Sequence, residues 1–211
     1  MSASFRPILF STIAVILVMV LASIQPLAWS SYLLHQAGTL LFLAFILYAY
    51  RFWQISSKSY VLATLFLIIH IVGARYLYSY VPYDDWTLQI FGIRLSELMG
   101  WQRNMYDRLV HFSYGLLLFG LMFDGFKNAF NSADTKQLIA LVLMLNLASS
   151  ALYELFEWAL AMTMSPEAAE AYNGQQGDIW DAHKDMALAL VGGLLAATVF
   201  IWLKSKAKTT L

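Results

Sequence analysis

Asp107 and His111 stand four residues apart, Glu154 and Glu157 three apart, and Asp178, Asp181 and Asp185 follow an i, i+3, i+7 rhythm. Residues three or four apart share one face of a helix, so each set predicts a row of ionisable side chains on a single surface. Carboxylates and imidazoles are ligands for Zn, Mn or Fe, and an all-oxygen subset suits Mg or Ca. On this reading Glu154, Asp181, His111 and Asp185 are the metal ligands and a divalent ion is the implied cofactor. Glu157 and His111 are the groups for acid–base work beside it. No H-E-x-x-H motif is present, so spacing leaves the ion unidentified.

The same residues fit other chemistries. Arg103 and Arg108, joined by Arg75, offer forked donors for the phosphate oxygens of a lipid-linked substrate, with Asp107 and Asp178 as further substrate contacts. A buried Glu154 with His70 or His111 would instead relay protons, as in a proton-coupled transporter or its regulator. Against transport, the chain lacks Gly/Pro-broken apolar segments at matching positions in two halves. A non-catalytic membrane scaffold, in which the polar cluster only locks helices together, is the third class. Asp178 and Asp181 would also serve as amino-terminal helix caps, and Arg108 as an interfacial anchor. Spacing does not separate these readings.

The elements that must hold these residues are membrane spans. The 211 residues are 60% hydrophobic and only 12% charged, whereas an average soluble domain is roughly a quarter charged. Six apolar segments approach the ~20 residues that a helix needs to cross a bilayer: 7–25, 32–50, 59–80, 108–124, 138–162 and 184–203. The expected fold is all-α, a polytopic membrane helix bundle forming a single domain over 1–211, with the lipid bilayer as its partner. The first segment has the order of a signal peptide but is long for one, and it is read as an uncleaved span. A net charge of zero gives no sign of a nucleic-acid partner, and without cysteine there is no disulfide or thiolate ligand.

Between the third and fourth spans, Leu88, Phe91, Leu95 and Leu98 recur at helical spacing between Trp86 and Trp101. They predict a short amphipathic helix, either lying in the interface or packed over the end of the bundle. The connection 165–177 carries Pro166, Asn173, Gly174 and Gly177 and should be a loop or a short helix with turns.

With both termini cytoplasmic, Arg6, Arg51, Lys58, Lys127, Lys136, Lys204, Lys206 and Lys208 fall inside, and Arg75, Arg94, Arg103, Arg108 and Lys184 outside. Eight against five favours that orientation. Eleven of the thirteen acids then fall outside, all but Asp124 and Asp134, and every histidine lies toward the same face. Ionisable groups at membrane depth are costly unless they face the bundle interior, water or a partner, so the outer pocket is the functional candidate. His35 reads as an interfacial polar residue, tyrosines and tryptophans mostly as interfacial belts and packing, and Gly192-Gly193 as a point of close helix contact.

The segments 106–112 (YDRLVHF), 153–158 (YELFEW) and 177–186 (GDIWDAHKDM) together resemble the YjdF family of bacterial inner membrane proteins, over about the last two thirds of the chain. That family has no assigned function, so the resemblance implies a multi-pass inner-membrane location and no reaction. More distantly, Arg108, His111, Glu154 and Asp181 match the pattern of the VanZ-type membrane fold, whose namesake is associated with low-level teicoplanin resistance. His183-Lys184-Asp185 stands where that group usually has an Asn before the glycine, so the likeness carries architecture alone.

Overall fold

A computed structural model describes residues 5–209; the side chains of Ala171, Lys208 and Thr209 lie outside the description, and with them the Lys208 charge of the basic tail. The described elements are α1 (Phe5–Ala22), α2 (Trp29–Phe52), α3 (Ser57–Arg75), α4 (Tyr83–Phe91), α5 (Leu95–Met99), α6 (Tyr106–Ala129), α7 (Thr135–Ala161), α8 (Pro166–Asn173) and α9 (Asp181–Thr209). Six of them, α1, α2, α3, α6, α7 and α9, are long and apolar enough to cross a membrane. The protein is thus an all-helical membrane bundle, as its composition predicts.

Local chemistry sets the helix ends. Asp134 and Gln137 form a reciprocal capping box at the start of α7. Ser165 caps α8, with Pro166 in its first turn. Asp124 on α6 accepts from the Ser56 amide at 2.9 Å and the Ser59 hydroxyl at 2.7 Å, tying α6 to the start of α3. At the other end of α3, Arg75 donates to the Leu21, Ala22 and Ile24 carbonyls. It therefore supplies the cation that the carboxyl end of α1 favours.

The core of α1, α2, α3 and α6 is filled by Val15, Ile46, Tyr60, Leu67, Ile71 and Leu118, all essentially inaccessible. Outward faces are the reverse: Phe10, Leu41, Met144 and Leu152 are 66–74% exposed, as suits side chains that lipid would cover. The tightest crossing is that of α6 with α9. A Cβ on Gly115 would overlap the Ala189 carbonyl oxygen, and one on Gly192 would overlap that of Phe112, so the two backbones touch. The close contact read from Gly192-Gly193 is thus present, with Gly115 as its partner across the crossing.

Two boundaries differ from expectation. The third span ends at Arg75, not near Tyr80, because the chain turns back through Leu77 (φ 51°) and Tyr78 (φ 54°). The Tyr78 ring lies where a side chain on Gly73 would be, its Cε1 2.7 Å from an added Cβ, so the glycine admits the fold-back. The amphipathic stretch after it is two short helices, broken at Gly92 (φ 71°). Leu88, Ile90, Phe91, Leu98 and Met99 on these helices are 40–71% exposed.

Candidate functional site

The acids gather at one end of the bundle, where α1, α3 and α7 finish and α2, α6 and α9 begin. The first turns of α6 bury Asp107, Arg108 and His111, α9 buries Asp181 and Asp185, and α7 buries Glu154 and Glu157. The contact at Gly115 and Gly192 brings the α6 and α9 rows together. On α7 the two glutamates continue a buried polar stripe through Asn146 and Ser150.

Two arginines organise the outer rim of this cluster. Arg103 and Arg108 both donate to Asp181 Oδ1, at 2.7 and 2.6 Å. Arg108 also reaches Asp178 at 3.1 Å and Asp185 at 2.5 Å, and Arg103 takes the Gly174 and Gln175 carbonyls at 2.9 Å each. The loop after α8 is thereby strapped to α6, and Gln176 completes the strap by exchanging hydrogen bonds with the Asn104 backbone. Asp178, outside the spans, is lowered to about 2 by the Lys184 ammonium 2.6 Å away, helped by the Trp180 amide.

Behind the arginines lies a different arrangement. His111 Nε2 is 3.6 Å from Asp107 Oδ1 and 3.9 Å from Asp185 Oδ2, and Nδ1 is 3.8 Å from Glu154 Oε1. Asp107, His111 and Asp185 each bring one ligand-type atom within 4.8 Å of the others. Asp107 Oδ2 and Glu154 Oε1 are buried and accept no hydrogen bond from any described residue. With every carboxylate ionised, the five buried acids against Arg103 and Arg108 leave a formal charge of −3. Adding Asp178 and Lys184 changes nothing. A centre with this deficit attracts cations or protons.

Asp107 and Glu157 also line a cavity of about 520 Å³ between α2, α3, α6, α7 and α8. Its wall includes His35, which stacks on Tyr172 at 4.2 Å and meets His70 and Tyr78 edge-on. Tyr78 in turn hydrogen-bonds His70 Nδ1 at 2.7 Å.

The sequence-derived residues therefore separate into two groups. His111 and Asp185 meet, together with Asp107, which was expected only as a substrate contact. Asp181, expected as a ligand, faces the guanidinium groups of Arg103 and Arg108 instead. Those arginines, expected to hold phosphate, spend most of their donors on protein oxygens. Arg75, the last residue of α3, donates to the carbonyls at the end of α1. His35 requires correction: it is 3% exposed and sits inside the bundle, because α2 begins at Trp29 and carries it well past the first turn. The signal for it was the polar stripe Ser31, His35, Thr39 at four-residue intervals on an apolar span.

The comparisons agree with this membrane architecture. The family described as "Predicted membrane protein (DUF2238)" matches residues 7–206. The "Inner membrane protein YjdF" of Escherichia coli (strain K12) is 31% identical over 199 residues, covering 92% of this chain and 90% of that relative. No solved structure matches. With the family match spanning nearly its full length, the chain belongs to the DUF2238 family of membrane proteins.

Proposed function

We propose that this protein is a multi-pass component of the bacterial inner membrane that binds a divalent cation through Asp107, His111 and Asp185 and presents it to the polar head of a membrane lipid. The observation that carries the reading is the buried trio of ligand-type side chains beside unsatisfied carboxylate oxygens. Two donors each ~2.1 Å from a tetrahedral ion stand about 3.4 Å apart. The 3.6 and 3.9 Å gaps about His111 Nε2 thus need only a few tenths of an ångström of contraction. Glu154 Oε1 lies 3.8 Å from His111 Nδ1, the ring nitrogen turned away from the ion, where it would orient the imidazole, and Glu157, on the cavity wall, is the base available to a bound headgroup. Arg103 and Arg108 act in this reading as counter-ions that keep the excess of acids folded.

Protons are the other way to relieve the charge deficit. A proton path would need ionisable groups through the opposite half of the bundle, and there Asp124 is engaged in tying α6 to α3. The cation reading is therefore preferred. Elemental mass spectrometry of the detergent-purified, monodisperse protein tests it: about one Zn, Mn, Fe, Mg or Ca per chain is expected, lost in Asp107→Asn/Asp185→Asn. A folded wild type that takes up none of these ions after reconstitution would overturn it and leave protonation as the answer.

The same proposal sets both termini in the cytoplasm and the acids on the far face. It is supported by the neutralisation of cations at the acid-bearing end: Arg94 pairs with Asp85 and Glu97, Arg103 and Arg108 with aspartates, and Lys184 with Asp178. Arg75 there covers helix carbonyls. The exposed apolar faces of α4 and α5 would then lie in the outer membrane–water interface. Labelling of single cysteines at Gln102 and Lys206 from outside intact cells should modify the first and spare the second; the reverse pattern refutes this orientation.

A further inference from the structure

The cavity at the acid-bearing end does not stop there. A second hollow, about 810 Å³, continues toward the opposite end of the bundle, and the two share Phe42, Tyr114, Leu118 and Ser149 in their walls. Together they make a groove with α6 as its floor and α2 and α7 as its sides. The α2 side, from His35 to Trp53, rises about 27 Å at 1.5 Å per residue, close to the ~30 Å hydrocarbon thickness of a bilayer.

Its chemistry is graded along that length. At the acid-bearing end His35 Nε2 and Asn173 Oδ1, and nearer the middle Ser150 Oγ, are buried and without a hydrogen-bond partner among the described residues, and all three side chains line the cavity. In the middle, Tyr114 and Ser149 satisfy each other at 2.5 Å, leaving Phe42, Phe66 and Leu118 to define the surface. At the far end Asn128 donates to the Trp53 carbonyl. Two glycines keep the groove open: an added Cβ on Gly38 or on Gly125 would meet nothing within 4 Å. Leu41 and Phe45 on one rim and Leu145 and Phe156 on the other are 39–74% exposed, so the opening faces the lipid side of the bundle.

We propose that this groove holds one long hydrocarbon chain of a membrane amphiphile, with the polar head at His35 and Asn173 beside the acid cluster. A chain would enter sideways between α2 and α7 without leaving the bilayer, and these two unpartnered polar groups would pair with the head. Only the role of the head, as a partner of the cation, rests on the function proposed above; the site for the tail does not.

The test uses the full chain in phosphatidylethanolamine–phosphatidylglycerol vesicles doped with a phospholipid carrying a diazirine on one acyl chain. Cross-links should concentrate on Phe42, Leu118 and Leu145, and about one lipid per chain should survive detergent extraction. Gly38→Leu and Gly125→Leu fill the two halves of the groove separately. Each should lower groove labelling about ten-fold, equivalent to ~1.4 kcal/mol, while metal content stays at the wild-type level. Labelling spread evenly over α1 and α9, or unchanged in both variants, overturns the proposal, as do inter-chain cross-links showing a second copy in the groove. Groove labelling in a protein that binds no metal would retain the tail site and reject the cation reading; a metal-binding protein with no groove labelling would do the opposite.

Discussion

Replacing Arg108 by glutamine isolates the term that holds the acid cluster together. The guanidinium is 6% exposed and lies 2.5 Å from Asp185 and 2.6 Å from Asp181, with Asp178 at 3.1 Å. Without it, the formal charge of the buried set falls from −3 to −4, and Arg103 alone faces the acids. Removing one partner of a buried ion pair costs about 3–5 kcal/mol, because the other charge stays buried and uncompensated. For a chain of this size each kcal/mol moves the melting temperature by ~2–4 °C, so a loss of roughly 6–20 °C is expected. The assay is unfolding of detergent-solubilised protein followed by tryptophan fluorescence, in EDTA so that ligand binding makes no contribution.

Asp185→Asn in the same background supplies the control on mechanism. Combined with Arg108→Gln it returns the formal charge to −3, so the double variant should be more stable than the two single losses predict. Coupling of about 0.5–3 kcal/mol is the range for residues in direct contact. Arg94→Gln, which breaks only pairs with Asp85 and Glu97 at the surface, should change stability by less than ~1 kcal/mol. Strictly additive losses, or an Arg108→Gln protein melting like the wild type, would refute the electrostatic account of this end of the bundle.

Gly192→Ala should destabilise by about 1–3 kcal/mol through overlap with the Phe112 carbonyl, whereas Gly38→Ala, with open space at Cβ, should gain up to ~1 kcal/mol of helix propensity; thermal melts decide both. Arg75→Ala removes the donor to three carbonyls at the end of α1 and should cost about 1.5–3 kcal/mol. The chain has no cysteine, so faster labelling of Ile24→Cys in that variant reports the loosened end directly. Asp178 is lowered to about 2 in the folded protein from an ordinary 3.8, so its contribution is complete above the ordinary value and is lost only as pH falls toward 2. Melting of Asp178→Asn should therefore trail wild type by the same interval at about pH 5 and about pH 8, and a gap that narrows at the lower pH contradicts the ion-pair assignment. Cation binding should weaken as the pH drops, since ligands must shed protons, as read by metal titration.

The spans were legible because the bilayer imposes length and apolarity on every crossing segment, and the paired spacings were legible because helices put residues four apart on one face. Which faces meet was not. Asp181 and Asp185 lie one turn apart on α9, and the one that comes near His111 is decided by where Gly115 and Gly192 let α6 and α9 touch. His35 is buried, not interfacial, because the helix begins at Trp29, ahead of the apolar run that starts near Tyr32. The stop at Arg75 was hidden for a related reason. No proline or glycine marks residues 76–80, and the turn depends on Tyr78 folding over a glycine five residues earlier.

This division of Asp181 from Asp185 gives the cluster a testable anatomy. Asp181 Oδ1 receives both guanidinium groups, and Arg103 in turn holds the loop carbonyls of Gly174 and Gln175, so the Asp181 charge is spent on the strap. Asp185 is 1% exposed and has one oxygen toward Arg108 and the other toward His111, so it joins the strap to the proposed cation. Asp181→Asn should then lower stability and loosen the loop to protease while a metal ion, once bound, remains. Asp185→Asn should lose the ion as well. If Asp181→Asn instead removed the metal from a protein with an intact strap, the ligand set would have to be redrawn around Asp181, and Arg103 and Arg108 would become its tuning partners.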